Sequence, residues 1–391
     1  MMAQFTAWWS WLLAQLAVWW PWLIAVLAGV AALFCAWWLW WRLPRRQVDR
    51  FWLVDAKARA DVEDNFRKTI GQLLGGAAVL IGAGFAYLQF QQQQQSARDL
   101  LISNQVAKGF ELLGNKDDQL QQRLGGIYAL EGVMNTSKEY HQPVLEALSA
   151  FVRDGARTET GDGPPATDIQ AALTVIGRRA PMGTRAPVPN LAHAHIPQAN
   201  LFRATLSGAD LSYADLRYAN LSHADLSGAY LSGAHLGRAD LTDANLSHAN
   251  LEGAALSGPE GGANLERANL SYANLGVANL RGAHLRRADL NYANLDVTDL
   301  TNADLTDANL SHAHLNSTIL NATILLRTHL GRAFLRANLT HVDLNNTDLT
   351  DAILSGAVLS SATVSQMQLD KACGTDNVVL DPGLTIKPCQ K

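Results

Sequence analysis

A chain of 391 residues exceeds one ordinary domain of roughly 100–200 residues, so two or three units are expected. With 31 Lys+Arg outweighed by 35 Asp+Glu, a basic nucleic-acid binder is excluded as a class, and three Cys exclude a disulfide-dense scaffold or a four-cysteine zinc site. The average hides an uneven text: all 11 Trp lie in the first 52 residues, and 10 of the 11 His follow residue 190.

Residues 1–41 contain no Asp, Glu, Lys, Arg or His, and the apolar block 23–36 is bracketed by Trp19, Trp20 and Trp22 on one side and Trp37, Trp38, Trp40 and Trp41 on the other. About 20 apolar residues between aromatic girdles describe a bilayer-crossing helix. Residues 5–18, before Pro21, read as an interfacial helix. The first residues lack the positive charge of a secretion signal, and Cys35 follows Phe34, so this segment is read as an anchor that is retained. A second uncharged stretch, 70–90, predicts another crossing. Along it Gly71, Gly75, Ala78, Gly82 and Ala86 share one helical face that lets a second transmembrane helix, or another copy of the chain, approach closely.

Between the spans, residues 42–69 read as a basic loop carrying Arg42, Arg45, Arg46, Arg50, Lys57, Arg59, Arg67 and Lys68. The positive-inside rule puts that loop in the cytoplasm and both termini outside it, but a large folded C-terminal domain overrides the rule in some proteins. The side carrying the C-terminal domain therefore stays open, with charge leaning extracytoplasmic.

Residues 91–155 predict a small helical neck. Leu100, Leu101, Val106, Phe110, Leu112 and Leu113 recur at helical spacing. Asp117 and Asp118 open a helix carrying Leu120 to Val133, and Ser137 opens one carrying Val144 to Phe151. Residues 156–188 are a Gly/Pro-punctuated linker with one short helix over 168–177, capped by Thr167 or Asp168.

From residue 189 to 370 the chain repeats every five residues, as in Ala-Asn-Leu-Phe-Arg at 199–203. The central apolar residue falls at 191 to 256, at 265 to 335 and at 339 to 369, giving 36 units. A helix would scatter these leucines around its surface, and a straight strand would alternate them between faces, because five is odd. A chain that turns a corner every five residues returns each Leu to one interior. The Ala two positions earlier points the same way, and the Asn or Asp between them points out. Residues 257–262 set Leu265 nine positions after Leu256 instead of five and predict a bulging loop; one residue is lost between Leu335 and Leu339. Thr takes the inward Ala position at 298, 318, 323, 328 and 347.

This run resembles the pentapeptide-repeat family. The resemblance implies a mainly β fold, a right-handed quadrilateral β-helix with four units per coil, here preceded by two transmembrane helices and a helical neck. The segment Arg123-Leu-Gly-Gly-Ile-Tyr-Ala-Leu-Glu and Asp168-Ile-Gln-Ala-Ala-Leu add a weaker likeness to membrane-anchored bacterial members. Some members are DNA mimics that bind type II topoisomerases. The rod has 17 acidic and 10 basic residues over 189–370, an excess of about seven, interrupted by Arg286 and Arg287.

The tail, 371–391, holds Cys373 and Cys389, which either close a loop of about 17 residues over the last coil or stay as free thiols. His193 with His195 and His312 with His314 form two His-x-His pairs. Each pair straddles a corner, and no His sits one coil above another, so surface histidine rather than metal binding is expected. No nucleophile–base set, phosphate loop or cofactor motif is present. The reading is a non-catalytic scaffold in a bacterial inner membrane, without cofactor or metal. Membrane lipid and a protein are its expected partners, homo-oligomerisation is open, and nucleic acid is not expected.

Overall fold

The structure, a computed structural model, describes residues 29, 31–32, 34–42, 44–46, 56–114, 119–156, 161–179, 187–375 and 377–389. Two compact units divide it, residues 1–100 and 101–391. In the first, the described residues between 29 and 46 are helical. The interfacial segment 5–18 and most of the first expected crossing lie outside the described residues.

Helix α1, Ala56–Leu113, has 58 residues and is about 87 Å long at ~1.5 Å per residue. It corrects the sequence reading: residues 56–69, expected as part of a loop, and the first neck helix are continuous with the second apolar span. The reason is local. No Pro interrupts 56–113, and the charged stretch supports itself with Glu63 against Arg67 and Asp64 against Lys68 at 2.9 Å, both at i,i+4 spacing.

In the second unit, α2 (Leu120–Thr136), α3 (Lys138–Ala156) and α4 (Thr167–Arg178) pack on one another through Ile127, Leu130, Leu145, Leu148, Leu173 and Ile176, each at most 1% exposed. The end of α1 joins them where two glycines meet. A Cβ on Gly126 would stand 2.9 Å from the Gly109 carbonyl oxygen, and one on Gly109 2.7 Å from Leu130.

Cap assignments differ from expectation. Asp117 and Asp118 lie outside the described residues, and Gln119 precedes α2 without a side-chain cap. Ser137 ends α2, its N–H donating to the Val133 carbonyl at 2.9 Å, before α3 begins. Helix α4 starts after Ala166, also without a side-chain cap. Buried Asp168 instead takes the Arg123 guanidinium at 2.5 Å, because a carboxylate removed from water needs a cation more than a helix start needs an acceptor.

From Asn190 the chain coils. Parallel bridges link Asn190 to Asp210, then 20 residues at a time to Asn250, and on through Asn274, Asn294, His314, Phe334 and Ile353 to Cys373. These nine steps of ~4.8 Å give a rod of about 43 Å. Most Leu N–H groups donate to the coil above, as Leu211 does to Tyr230 at 2.7 Å, while the residue before a Leu donates to the coil below, as Tyr230 does to Ala209 at 2.9 Å. A turn bond such as Ala214 N–H to the Leu211 carbonyl at 3.1 Å closes each corner. Inside, the Leu and Ala of every unit from Leu211 to Leu256 are no more than 1% exposed.

The bulge at 257–262 adds four residues, so bridges run at an offset of 24 from Asp240–Asn264 to Ala255–Asn279 and then return to 20. Gly262 is required there: a Cβ would lie 2.5 Å from the Ala283 nitrogen. The loss after Leu335 appears as an offset of 19, as in Ile319–Asn338. The inward threonines are buried, and their hydroxyls donate to a Leu carbonyl of the preceding coil, Thr298 to Leu275 at 2.7 Å and Thr323 to Leu300 at 2.8 Å. That bond is why a polar side chain fits an apolar axis.

Both rod ends are covered. At the first coil Thr205 N–H donates to the Gly177 carbonyl of α4 at 2.6 Å, and Gln170 bonds both the N–H and the carbonyl of Asn200. At the last, α5 (Gln366–Leu369) is held by a Ser365/Gln368 capping box, and Gln368 Nε2 donates to the Leu344 and Thr347 carbonyls. Short strands β1 (Cys373–Gly374) and β2 (Lys387–Pro388) pair in parallel, with Cys373 and Cys389 placed as a disulfide, Cα atoms 4.8 Å apart. Covered ends protect a solenoid from edge-to-edge pairing.

Candidate functional site

Where the outward position before a Leu is Asn or Asp, it has a structural task. Its Oδ1 accepts the N–H two residues on, as Asp210 does from Ser212 at 3.1 Å and Asn274 from Gly276 at 3.2 Å. The residue after the turn, two past each Leu, adopts left-handed backbone at most corners, with φ of 57° at Tyr213 and 56° at Asp243. Because these corners align coil on coil, their side chains form ladders along the rod.

One corner is aromatic. His248, Tyr272, Tyr292 and His312 stack successively with centroids 4.9, 4.9 and 4.3 Å apart and planes within 9° of parallel. Tyr272 and Tyr292 are 52% and 44% exposed. Beside it runs an amide ladder in which Asn294 donates to Asn274 and Asn274 to Asn250. Reading the sequence one unit at a time misses these rings; their recurrence at 24, 20 and 20 residues, with the inserted loop counted, is the signal that finds them.

The neighbouring corner is charged: Asp243 holds Arg267 at 2.7 Å, and Asp307 holds Arg327 at 2.6 Å and Arg287 at 4.0 Å. The Arg267 and Arg327 hydrogen bonds keep the Asp243 and Asp307 carboxyls below the usual carboxylate range. At Asp215, burial alone would raise the carboxyl, but hydrogen bonds from Arg217 outweigh it and the net shift is downward.

The His-x-His pairs separate as the corners require. His193 stacks on Tyr213, while His195 bonds Asp215 at 2.9 Å and the Gly161 carbonyl at 3.0 Å. His312 closes the aromatic ladder, and His314 tilts against Phe334. No group of three metal-ligating side chains forms among the described residues. On α1, Gly71 sits under Trp40, whose ring would be 2.8 Å from an added Cβ; around Gly75 and Gly82 there is open space, and Ala78 and Ala86 are exposed. Leucine and alanine fill the rod axis, so the chemistry it presents is that of an extended surface of rings, amides and paired charges.

Residues 190–222, 219–258, 263–302, 298–336 and 337–373 match the family of pentapeptide repeats. Similar solved structures include HetL of the cyanobacterium Nostoc sp. strain PCC 7120, a pentapeptide repeat protein involved in heterocyst differentiation regulation; it is 35% identical over 49% of this chain and 91% of that one, TM-score 0.22. QnrB1, a plasmid-mediated fluoroquinolone resistance protein, is 18% identical over 47% of this chain and 87% of that one, TM-score 0.23. A pentapeptide repeat protein of the Arabidopsis thaliana thylakoid lumen is 31% identical over 33% and 66%, TM-score 0.15. No curated protein matches the chain. The protein belongs to the pentapeptide-repeat family, and its C-terminal half is a right-handed β-helix.

Proposed function

We propose that the protein is a membrane-anchored, non-catalytic interaction module whose rod presents its repetitive surface to a protein partner. One observation carries the reading. The chain joins a filled β-helix to α1, which is long and apolar enough to cross a membrane and leaves Leu73, Val79, Leu80, Ile81, Phe85, Leu88 and Phe90 between 57% and 75% exposed. Water does not tolerate such a continuous apolar surface, whereas hydrocarbon requires it. In this reading the Trp-bracketed segment 23–36 supplies a second crossing, the basic stretch 42–69 between the crossings is cytoplasmic, and the repeats stand outside, where a Cys373–Cys389 disulfide persists.

The alternative, a DNA-mimicking topoisomerase regulator, needs an unbroken anionic face. Arg217, Arg267, Arg281 and Arg327 instead neutralise Asp215, Asp243, Asp299 and Asp307 along the rod. The scaffold reading is tested by photocrosslinking from positions 213, 272, 292 and 327 of the full chain in its native membrane. Position-dependent adducts of one protein are expected, at twice the chain mass if the partner is a second copy. Absence of adducts from all four positions, together with inhibition of gyrase supercoiling by the purified chain, would favour the alternative.

A further inference from the structure

The described part of the first helix carries two adjacent i,i+4 stripes, Trp37, Trp41 and Arg45 beside Trp38, Arg42 and Arg46. These six side chains line a surface cleft of about 670 Å³. Tryptophan forms its inner part, with Trp37, Trp38 and Trp41 59%, 37% and 46% exposed. Arginine forms the outer part, one turn or about 6 Å further along the axis. That order, indole then guanidinium, matches the change from acyl boundary to phosphate across a lipid leaflet.

Charge at the cleft is unbalanced. Arg67 of α1 joins it from the side: its guanidinium lies 5.7 Å and that of Arg45 4.5 Å from the Trp41 ring centre. Glu63, paired with Arg67 and 3.6 Å from Arg45, is the one carboxylate shared between them. Arg42 and Arg46 meet no carboxylate among the described residues. The Arg67 Nε is buried without a hydrogen-bond acceptor. Among the described residues two guanidinium groups share the Glu63 carboxylate, two more have none, and a buried N–H lacks an acceptor, which together are chemistry for a phosphate.

We infer that this Trp/Arg cleft binds the headgroup phosphate of an anionic phospholipid, with the indoles against its glycerol and upper acyl carbons and Arg42, Arg45 and Arg46 on its charge. The inference rests on the membrane reading above and deepens it. It is tested on the full chain in dodecyl maltoside by native mass spectrometry, with phosphatidylglycerol, phosphatidylcholine of the same chains, and inorganic phosphate as the three probes. Phosphatidylglycerol should bind about tenfold tighter than phosphatidylcholine, and Arg42→Gln/Arg45→Gln/Arg46→Gln should remove that preference while the triple Lys variant keeps most of it.

Equal binding of the two lipids by the unaltered chain would overturn the inference without any variant. So would a Gln variant that keeps the preference, or displacement of the lipid by millimolar phosphate, which would make this a free-anion site. Release of the full chain from membranes by alkaline carbonate is a separate result: it would remove the membrane reading itself, whereas a retained chain without lipid preference removes the cleft assignment alone.

Discussion

Leu270 is fully buried at mid-rod, its N–H donating to the Asp289 carbonyl at 2.6 Å and its own carbonyl accepting Ala273 at 3.0 Å. Leu270→Ala removes side-chain volume from an axis walled on four sides by hydrogen-bonded backbone, which cannot relax inward as a helix bundle can. The cost should therefore sit in the upper part of the usual range for such truncations, about 3–5 kcal/mol. For a repeat domain of this size that is a fall in melting midpoint of roughly 6–20 °C. The internal control is Asn269→Ala, one residue away and pointing out. It loses the amide bond to Asn245 at 3.2 Å and the acceptor for Ser271 at 3.1 Å, worth about 1–2 kcal/mol together. Thermal melts of the full chain in detergent, followed by circular dichroism in the β region, compare the two. Equal shifts, or a smaller one for Leu270→Ala, would refute the leucine-filled axis.

Gly262→Ala should lower stability by about 1–3 kcal/mol in the same melts, since its Cβ would meet Ala283 backbone rather than a movable side chain; an unchanged midpoint would mean the 257–262 bulge is not seated there. Reduction should loosen the C-terminal cap by about 3 kcal/mol, read as faster hydrogen exchange at Val378–Leu380 amides, with no further effect of reductant on Cys389→Ser; identical exchange before and after reduction would show free thiols. In the neck, burial first and the Arg179 charge second push the His141 imidazole down. The folded state thus binds fewer protons than the unfolded one, whose imidazole titrates near 6.5, so neck stability is full above about pH 6.5 and falls as pH drops toward the folded value. Exchange over 127–152 at pH 7.5 and 5.5 should show this in the unaltered chain and not in His141→Gln; a slope kept by the variant would assign it elsewhere.

The rod could be read ahead of the structure because the rule is local: a five-residue period allows one arrangement of Leu and Ala, and both register breaks, at 257–262 and after Leu335, fall where the counting places them. Corner chemistry was harder to see. Val277 and Val297 adopt φ of 60° and 62°, which β-branched residues avoid, so propensity alone does not mark them as corner residues; the stacked coils impose that backbone. The His248–Tyr272–Tyr292–His312 ladder depends on a coil-length offset, and pattern reading at the scale of one unit passes over it. In the helical half, the charges at 56–69 suggest a loop, yet the same charges at i,i+4 spacing continue α1. Asp168 resembles a helix cap by position and serves Arg123 instead, a contact 45 residues away in sequence.

The exposed apolar surface of α1 lies either in hydrocarbon or in water. Alkaline carbonate extraction of membranes containing the full chain tests this most directly, alongside a variant with Leu80→Lys, Ile81→Lys and Phe85→Lys. The unaltered chain should remain in the pellet and the variant should move to the supernatant, because each central Lys costs about 2.5–3.5 kcal/mol of insertion. An unaltered chain recovered in the carbonate supernatant would contradict the membrane anchor.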